Sequence, residues 1–226
     1  MKADFINNMT HEFKTPVATI SLAIDSILHK EIINKPDQIE KFGSIIKKEN
    51  PRMNNQIERL LNIALFDKES FELNRETVNV HQLLLELKEN FEINTNNQSG
   101  DFALFLNAEK AIILADKMHF YNVLRNIIDN GIKFSNEAFR IKVTTLNTNQ
   151  SLIIRISDQG IGMNKDTQSK IFTRFYRKTE GDIHATKGFG LGLTYVKEVI
   201  EKMRAMIAVE SELNKGTTFT ITIPLD

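Results

Sequence analysis

The stretch His11-Glu12-Phe13-Lys14-Thr15-Pro16 sets an imidazole beside a carboxylate, with a hydroxyl four residues further on. On a helix His11 and Thr15 lie one turn apart, about 6 Å along the axis, on a flank of the apolar side made by Ile6, Met9 and Phe13. The pattern superficially matches the zinc proteases, which place two histidines at this spacing, but Thr15 occupies the second position and that metal site fails. Pro16 frees the carbonyl of Glu12 and lets the helix bend where a reactive imidazole has to be reached. A lone surface histidine is more often inert than catalytic, so His11 needs support from the rest of the chain.

A second constellation lies in Asn122-Val123-Leu124-Arg125-Asn126-Ile127-Ile128-Asp129-Asn130-Gly131, which puts Asn122, Asn126 and Asn130 on one helical face. Asparagine is a mediocre helix former. Three amides in register beside an apolar face suit an oxygen-seeking divalent cation with its phosphates; a merely solvated face is the duller alternative. Two glycine stretches follow, Asp158-Gln159-Gly160-Ile161-Gly162 after a strand pattern and Gly188-Phe189-Gly190-Leu191-Gly192-Leu193 before a helix pattern. The latter lacks the Lys-Ser/Thr of a P-loop, and Leu193 stands where a dinucleotide fingerprint requires glycine. Glycines that open a helix still bring backbone N–H groups and a positive dipole end to phosphate, and an aspartate at a strand end can accept from an amine. Together these residues could hold ATP.

The elements that must position them fall into two kinds. Ile6, Met9, Phe13, Val17, Ile20, Ile24 and Ile27 step by three and four, and so do Ile39, Phe42 and Ile46, with Met53, Ile57, Leu60 and Ala64 continuing the second stripe. Residues 1–70 therefore read as a helical hairpin linked through Glu31 to Pro36, with Asp37 and Glu40 as a capping box for the second helix. Pro51 interrupts that helix's backbone bonding, yet the stripe favours one continuous helix. Two helices bury little, so a second copy completing a four-helix bundle is expected. Beyond Phe71 short β-type runs, Phe102–Asn107, Arg140–Leu146 and Ser151–Ser157, alternate with helical segments, with a hairpin turn at Asn147–Gln150 and Asp116 capping a helix. Seven of the ten glycines fall between Gly160 and Gly216, which sets this part apart from the helical one.

Composition bounds the functions. The 226 residues are 41% hydrophobic and 26% charged, which excludes a disordered or collagen-like chain. Cysteine is absent, which removes disulfides, thiolate zinc sites and cysteine nucleophiles together. Lys+Arg and Asp+Glu balance at 29 each, which argues against a nucleic-acid partner. No run approaches the length of a membrane span or a signal peptide's apolar core, so no membrane contact and a cytoplasmic location are expected.

In order along the chain, HEFKTP, NIIDNGIKFS, DQGIGM, IFTRFYR, KGFGLGL and KGTTFTITIP resemble the boxes of the sensor histidine kinases of two-component signalling. The resemblance covers essentially the whole chain. It implies an all-α hairpin for dimerisation and histidine phosphotransfer over 1–70. An α+β ATP-binding sandwich of the histidine kinase, Hsp90 and gyrase type is implied over 71–226.

By the same resemblance His11 is the phosphoacceptor, Glu12 the base that polarises it, and Thr15 the residue that orients water for phosphatase action. Asn130 is the magnesium ligand, with Asn126 beside the phosphates, Lys133 a positive partner and Phe134 near the adenine. Asp158 binds the adenine amine, Gly160 and Gly162 allow close backbone approach, and Thr217 holds the base through water. Arg177 meets the γ-phosphate. Gly188, Gly190 and Gly192, with Leu193 beside them, hinge a lid over 163–187 and open the phosphate-facing helix, while Phe172, Phe175 and Tyr176 anchor the lid or simply fill core. Gly131 stands where alanine is common, and Lys202-Met203-Arg204-Ala205 where a His-Gly-Gly turn is frequent.

The implied activity is autophosphorylation on His11 from ATP with Mg2+, then transfer to an aspartate of a response-regulator receiver domain, with phosphatase action towards it. The implied assembly is a homodimer, and the chain reads as the cytoplasmic portion of a membrane sensor. Two other readings are an ATPase on the same nucleotide fold and a dimeric nucleotide-binding scaffold that transfers nothing. HEFKTP opposes the first, and the intact asparagines and glycines oppose the second.

Overall fold

The computed structural model describes residues 2–32, 34–66, 72–94, 100–135, 138–176 and 191–225, with the backbone alone described over 2–12, 51–52, 54–66 and 93–94. The chain divides into two compact units, one holding Met1–Phe71 and the other running from Glu72. Each is built on a different rule.

The first unit is a pair of packed helices, α1 (Lys2–Leu28) and α2 (Pro36–Phe66). The backbone of α1 stays helical through Pro16, which is buried, and that of α2 stays helical through Pro51. The second helix starts one residue before the expected cap. Pro36 takes the first helical position, where a missing N–H costs nothing, and Lys35 offers its carbonyl to the amides of Gln38 and Ile39. Asp37 consequently lies inside the first turn, where its charge still opposes the helix dipole.

The second unit contains β1 (Glu76–Asn79), α3 (Val80–Asn94), β2 (Gly100–Leu106), β3 (Ile112–Ala115) and α4 (Lys117–Lys133). It continues with β4 (Phe139–Asn147), β5 (Ser151–Asp158), α5 (Lys165–Lys170), α6 (Gly192–Lys202), β6 (Met206–Glu212) and β7 (Gly216–Pro224). Five strands form one sheet in the order β2-β4-β5-β7-β6, with β2 parallel to β4 and the other pairs antiparallel, and β1 pairs with β3 in a small ribbon. The expected hairpin is present, with Asn147 and Ser151 at its strand ends.

Strand alternation explains the layering. Ile141 and Val143, Ile154 and Ile156, and Phe219 and Ile221 all point to one face and are buried. Lys142, Arg155 and Thr220 alternate with them on the other face, which is only partly covered. The apolar sides of α3, α4 and α6 close the buried face through Leu83, Leu84, Leu87, Leu124, Ile128, Val199 and Ile200. Asp116 caps α4 by accepting from the His119 amide at 3.0 Å, and its second oxygen accepts from the Asn74 amide at 3.1 Å.

The Lys202–Ala205 turn also takes a form the sequence left open. The Arg204 amide donates to the Glu201 carbonyl and the Ala205 amide to the Ile200 carbonyl, both at 3.0 Å, which is a Schellman motif closing α6. The positive φ of 58° falls on Arg204, so Ala205 escapes it.

A carboxylate corner between two helix faces

Asp158 ends β5 and is the centre of the site. Its Oδ1 accepts from the Gly160 amide at 2.8 Å and from the Thr217 amide at 3.2 Å. Burial pushes the carboxyl above its ordinary range, against the pull of those two amides. A group held this way suits a ligand that donates to it.

The backbone around Asp158 is threaded too closely for side chains. Gly162 has φ of 63° and Gly216 φ of 100°. A Cβ on Gly162 would overlap the Glu212 carbonyl, and one on Gly216 would overlap the carbonyl of Asp158 itself. The Gly160–Gly162 turn is tied on both sides, since the Ile161 amide donates to the Phe134 carbonyl at 3.0 Å and the Asn214 amide to the Ile161 carbonyl at 2.8 Å. Phe134, the C-terminal cap of α4, is thereby fixed beside this turn, half-buried, with the Lys133 ammonium 5.1 Å from its ring centre. Gly131 is explained as well, because a Cβ there would stand 2.6 Å from Ile141 Cδ1 and 3.1 Å from Asp158 Cβ.

The asparagine face of α4 turns towards the first turn of α6. The Asn126 amide nitrogen donates to the Asn122 carbonyl at 2.8 Å, which aims its oxygen outwards, and a Cβ on Gly192 would lie 2.8 Å from that oxygen. Asn122 bonds the Tyr195 hydroxyl, which also meets His119 Nδ1 at 2.9 Å. The buried contact locks α4 to α6, and burial holds the tyrosine pKa up and the histidine pKa down. Among the described residues the half-buried Asn130 side chain meets no hydrogen-bond partner. An oxygen ligand left open one helical turn beyond Asn126 fits a hydrated divalent cation carrying phosphates.

The structure therefore brings Asn126, Asp158, Gly160, Gly162, Gly192, Leu193 and Thr217 into one unit, with Asn130, Lys133 and Phe134 along the same helix. Arg177, Gly188 and Gly190 lie outside the described residues, as does the lid beyond Tyr176. Its first part is described. Phe172 packs edge-on against Phe219 at 6.4 Å, Arg174 pairs with Glu198 of α6 at 2.8 Å, and Thr194 donates to the Phe172 carbonyl at 3.3 Å. In the first unit the side chains of His11 and Glu12 lie outside the described residues, while Thr15 is exposed. It lines an open groove of about 370 Å³ with Lys14, Ala18, Thr19 and Leu22.

Two participants escaped the sequence reading. Gly216 had a signal, a glycine just before Thr217 in an alternating strand, but its need for glycine arises from Asp158, far away in sequence. Ser211 had none; its hydroxyl meets Thr217 Oγ1 at 3.0 Å.

Residues 1–69 match the family described as the His Kinase A (phospho-acceptor) domain, and residues 115–226 match the histidine kinase-, DNA gyrase B- and HSP90-like ATPase. The sensor protein RprX of Bacteroides fragilis is 39% identical over 227 aligned residues, covering 100% of this chain and 44% of that protein. The chain thus spans less than half the length of that curated relative. Full-length ShkA in complex with AMPPNP superposes with a TM-score of 0.71 at 22% identity, covering 98% of this chain and 45% of the other. Histidine kinase ThkA in complex with the response regulator TrrA gives 0.67 at 21%, covering 98% and 61%. The two likenesses establish the fold. Among the described residues no helix is long and apolar enough to cross a membrane.

Proposed function

Because the chain belongs to the sensor histidine kinases of two-component systems, we propose that it phosphorylates His11 from ATP and passes the phosphoryl group to an aspartate of a response-regulator receiver domain. We assign 1–70 to dimerisation and phosphotransfer and 71–226 to ATP binding. Residues 72–114 lie outside the matched ATPase segment, yet Leu83, Leu84 and Leu87 fill its core, which supports including them.

The observation that carries the nucleotide half is the Asp158 corner. A desolvated carboxylate, steered by the amides of Gly160 and Thr217, accepts from the adenine amine. Thr217 assists through water, and Phe134 lines the base. Gly192 and Leu193 open α6 and turn its first-turn amides towards the phosphates, in company with Gly188 and Gly190, while Asn126, Lys133 and Arg177 add polar and positive contacts. Asn130 supplies an oxygen ligand to Mg2+, which when bound offsets the charge of the phosphates.

Phosphoryl transfer asks the protein mainly for position and charge stabilisation. Glu12 holds the Nδ1 proton of His11, which leaves the Nε2 lone pair to attack the γ-phosphorus in line. The new N–P bond forms as the bond to the β,γ-bridging oxygen breaks, and ADP departs. The N–P bond then breaks in turn when a receiver aspartate takes the phosphoryl group. Thr15, exposed on α1, orients water for the separate phosphatase step, in which water attacks the receiver's phosphoaspartate, the O–P bond breaks and inorganic phosphate leaves. Support for the receiver as partner comes from ThkA, solved in complex with a response regulator. Exposed Val17, Ile24 and Leu28 support a homodimer.

The test is incubation of the purified chain with γ-labelled ATP and Mg2+. The expected label is acid-labile, base-stable and absent from His11→Gln. Acid-stable label, or label that survives the substitution, overturns the assignment.

A further inference from the structure

Ser211, on β6, makes three contacts with one hydroxyl. The Met163 amide donates to its Oγ at 2.8 Å, the Gly216 carbonyl lies 2.8 Å away, and Thr217 Oγ1 lies 3.0 Å away. A carbonyl can only accept, so the single serine proton goes to Gly216. A hydroxyl oxygen has two lone pairs. Met163 occupies one, and Thr217 donates to the other. The Thr217 proton is then used inside the protein, which leaves the oxygen of this buried hydroxyl an acceptor alone.

The arrangement is held rigidly. The Gln168 amide nitrogen donates both to the Ser211 carbonyl at 2.8 Å and to the Met163 carbonyl at 2.9 Å, which keeps the serine backbone and its donor in place. The Thr217 amide donates to Asp158 Oδ1, so the acceptor hydroxyl and the carboxylate share one corner.

We infer that Ser211 is a specificity-determining positioning residue: by consuming the Thr217 proton it makes this corner accept hydrogen bonds only, and so selects a purine with an exocyclic amine over a 6-oxopurine. The inference rests on the nucleotide-binding reading above. A 6-amino group offers N–H donors to both acceptors, whereas a 6-oxo group turns lone pairs against them. A bridging water passes the polarity on, because a water that donates one proton to Thr217 keeps the other for an acceptor ring nitrogen. With the serine hydroxyl gone, Thr217 can rotate and donate to an oxo group.

The experiment measures equilibrium binding of ATP and of inosine triphosphate, each with Mg2+, to the whole chain and to Ser211→Ala. The ratio of the two affinities is expected to narrow about five-fold, the worth of one neutral hydrogen bond. Ser211→Thr, which keeps a hydroxyl, is expected to restore it. Equal losses for both nucleotides, leaving the ratio unchanged, would show a purely structural serine and overturn the inference. Thr217→Val gives an independent route should Ser211→Ala fail to fold. It too is expected to narrow the ratio, and an unchanged ratio there overturns the inference. A wild-type chain that binds inosine triphosphate as tightly as ATP overturns the Asp158 assignment itself, and the serine's role falls with it.

Discussion

The two units solve the burial problem in opposite ways. In the helical hairpin Pro16 and Ala23 are the only buried side chains among those described, while Val17 is 47%, Ile24 43% and Leu28 65% exposed. These three fall at i, i+7 and i+11, one side of α1, so the hairpin carries an apolar strip that its own partner helix does not cover. The α/β unit leaves its large core side chains, Phe120, Leu124, Ile154 and Ile221 among them, essentially without exposure. One unit is incomplete as a single copy and the other is closed. That difference suits the proposed kinase, in which a dimeric hairpin would present the histidine and a separate closed unit would hold the nucleotide.

The sharpest way to break the comparison is Ile24→Asp. Burying an isoleucine contributes about 1.5–3 kcal/mol, and two-fold symmetry counts it twice, so dimer affinity is expected to fall by about a hundred-fold or more. Sedimentation would show monomer, while ATP affinity stays unchanged because the nucleotide unit does not depend on the strip. A stable dimer of the variant would mean that some other surface holds the copies together.

Gly162→Ala attacks the opposite unit. Its φ of 63° already disfavours a side chain, and the new Cβ would overlap the Glu212 carbonyl. The expected loss is about 3 kcal/mol, confined to the α/β unit. Calorimetry should show the α/β transition moving down while the variant remains dimeric. If both transitions move together, the two units are not energetically independent.

Within the α/β unit, Asp158→Asn separates function from stability. Burial raises this carboxyl's pKa from 3.8, so the folded chain holds the proton more tightly than the unfolded one. Stability is then lost as pH climbs from about 3.8 through the raised value, and at neutral pH the fold carries a desolvated carboxylate. The amide keeps an Oδ1 for Gly160 and Thr217 and removes that cost. ATP affinity is expected to fall about ten- to hundred-fold, the range of a charged hydrogen bond. The nucleotide-free midpoint temperature is expected to rise slightly at pH 7 and to match the wild type at pH 3. A lower midpoint at pH 7 would mark Asp158 as structural.

Legibility in the sequence followed the range of the interaction. Helical periodicity located both hairpin stripes, Asp116 announced its own cap, and alternating runs located β4 and β5, since each is a local pattern. The roles proposed for Asn126, Asn130 and Asp158 start from residue type, because amides and carboxylates in apolar surroundings are costly unless used. Asp37 misled by one residue, because Pro36 suits the first helical position better than the sequence signal implied. What stayed hidden depends on distant partners. Gly216 is required by a carbonyl in β5, Gly131 by a side chain in β4, and the polarity of Thr217 by a serine in the adjacent strand.

Arg204 gives the mildest test, just past the end of α6 opposite to its proposed phosphate-facing start. The Schellman motif that ends α6 requires a left-handed residue at this position, and an L side chain there is disfavoured by about 1–2 kcal/mol relative to glycine. Glycine has more freedom to lose from the unfolded chain, which offsets part of the gain. Arg204→Gly should therefore raise the stability of the α/β unit by about 1 kcal/mol, read as a higher denaturant midpoint at unchanged slope. Because Ile200 and Glu201 supply the bonded carbonyls, the gain belongs to the end of α6 and not to its nucleotide-facing start. ATP affinity and dimer affinity should both stay where they were, and a change in either would show that the turn communicates along the helix to Gly192.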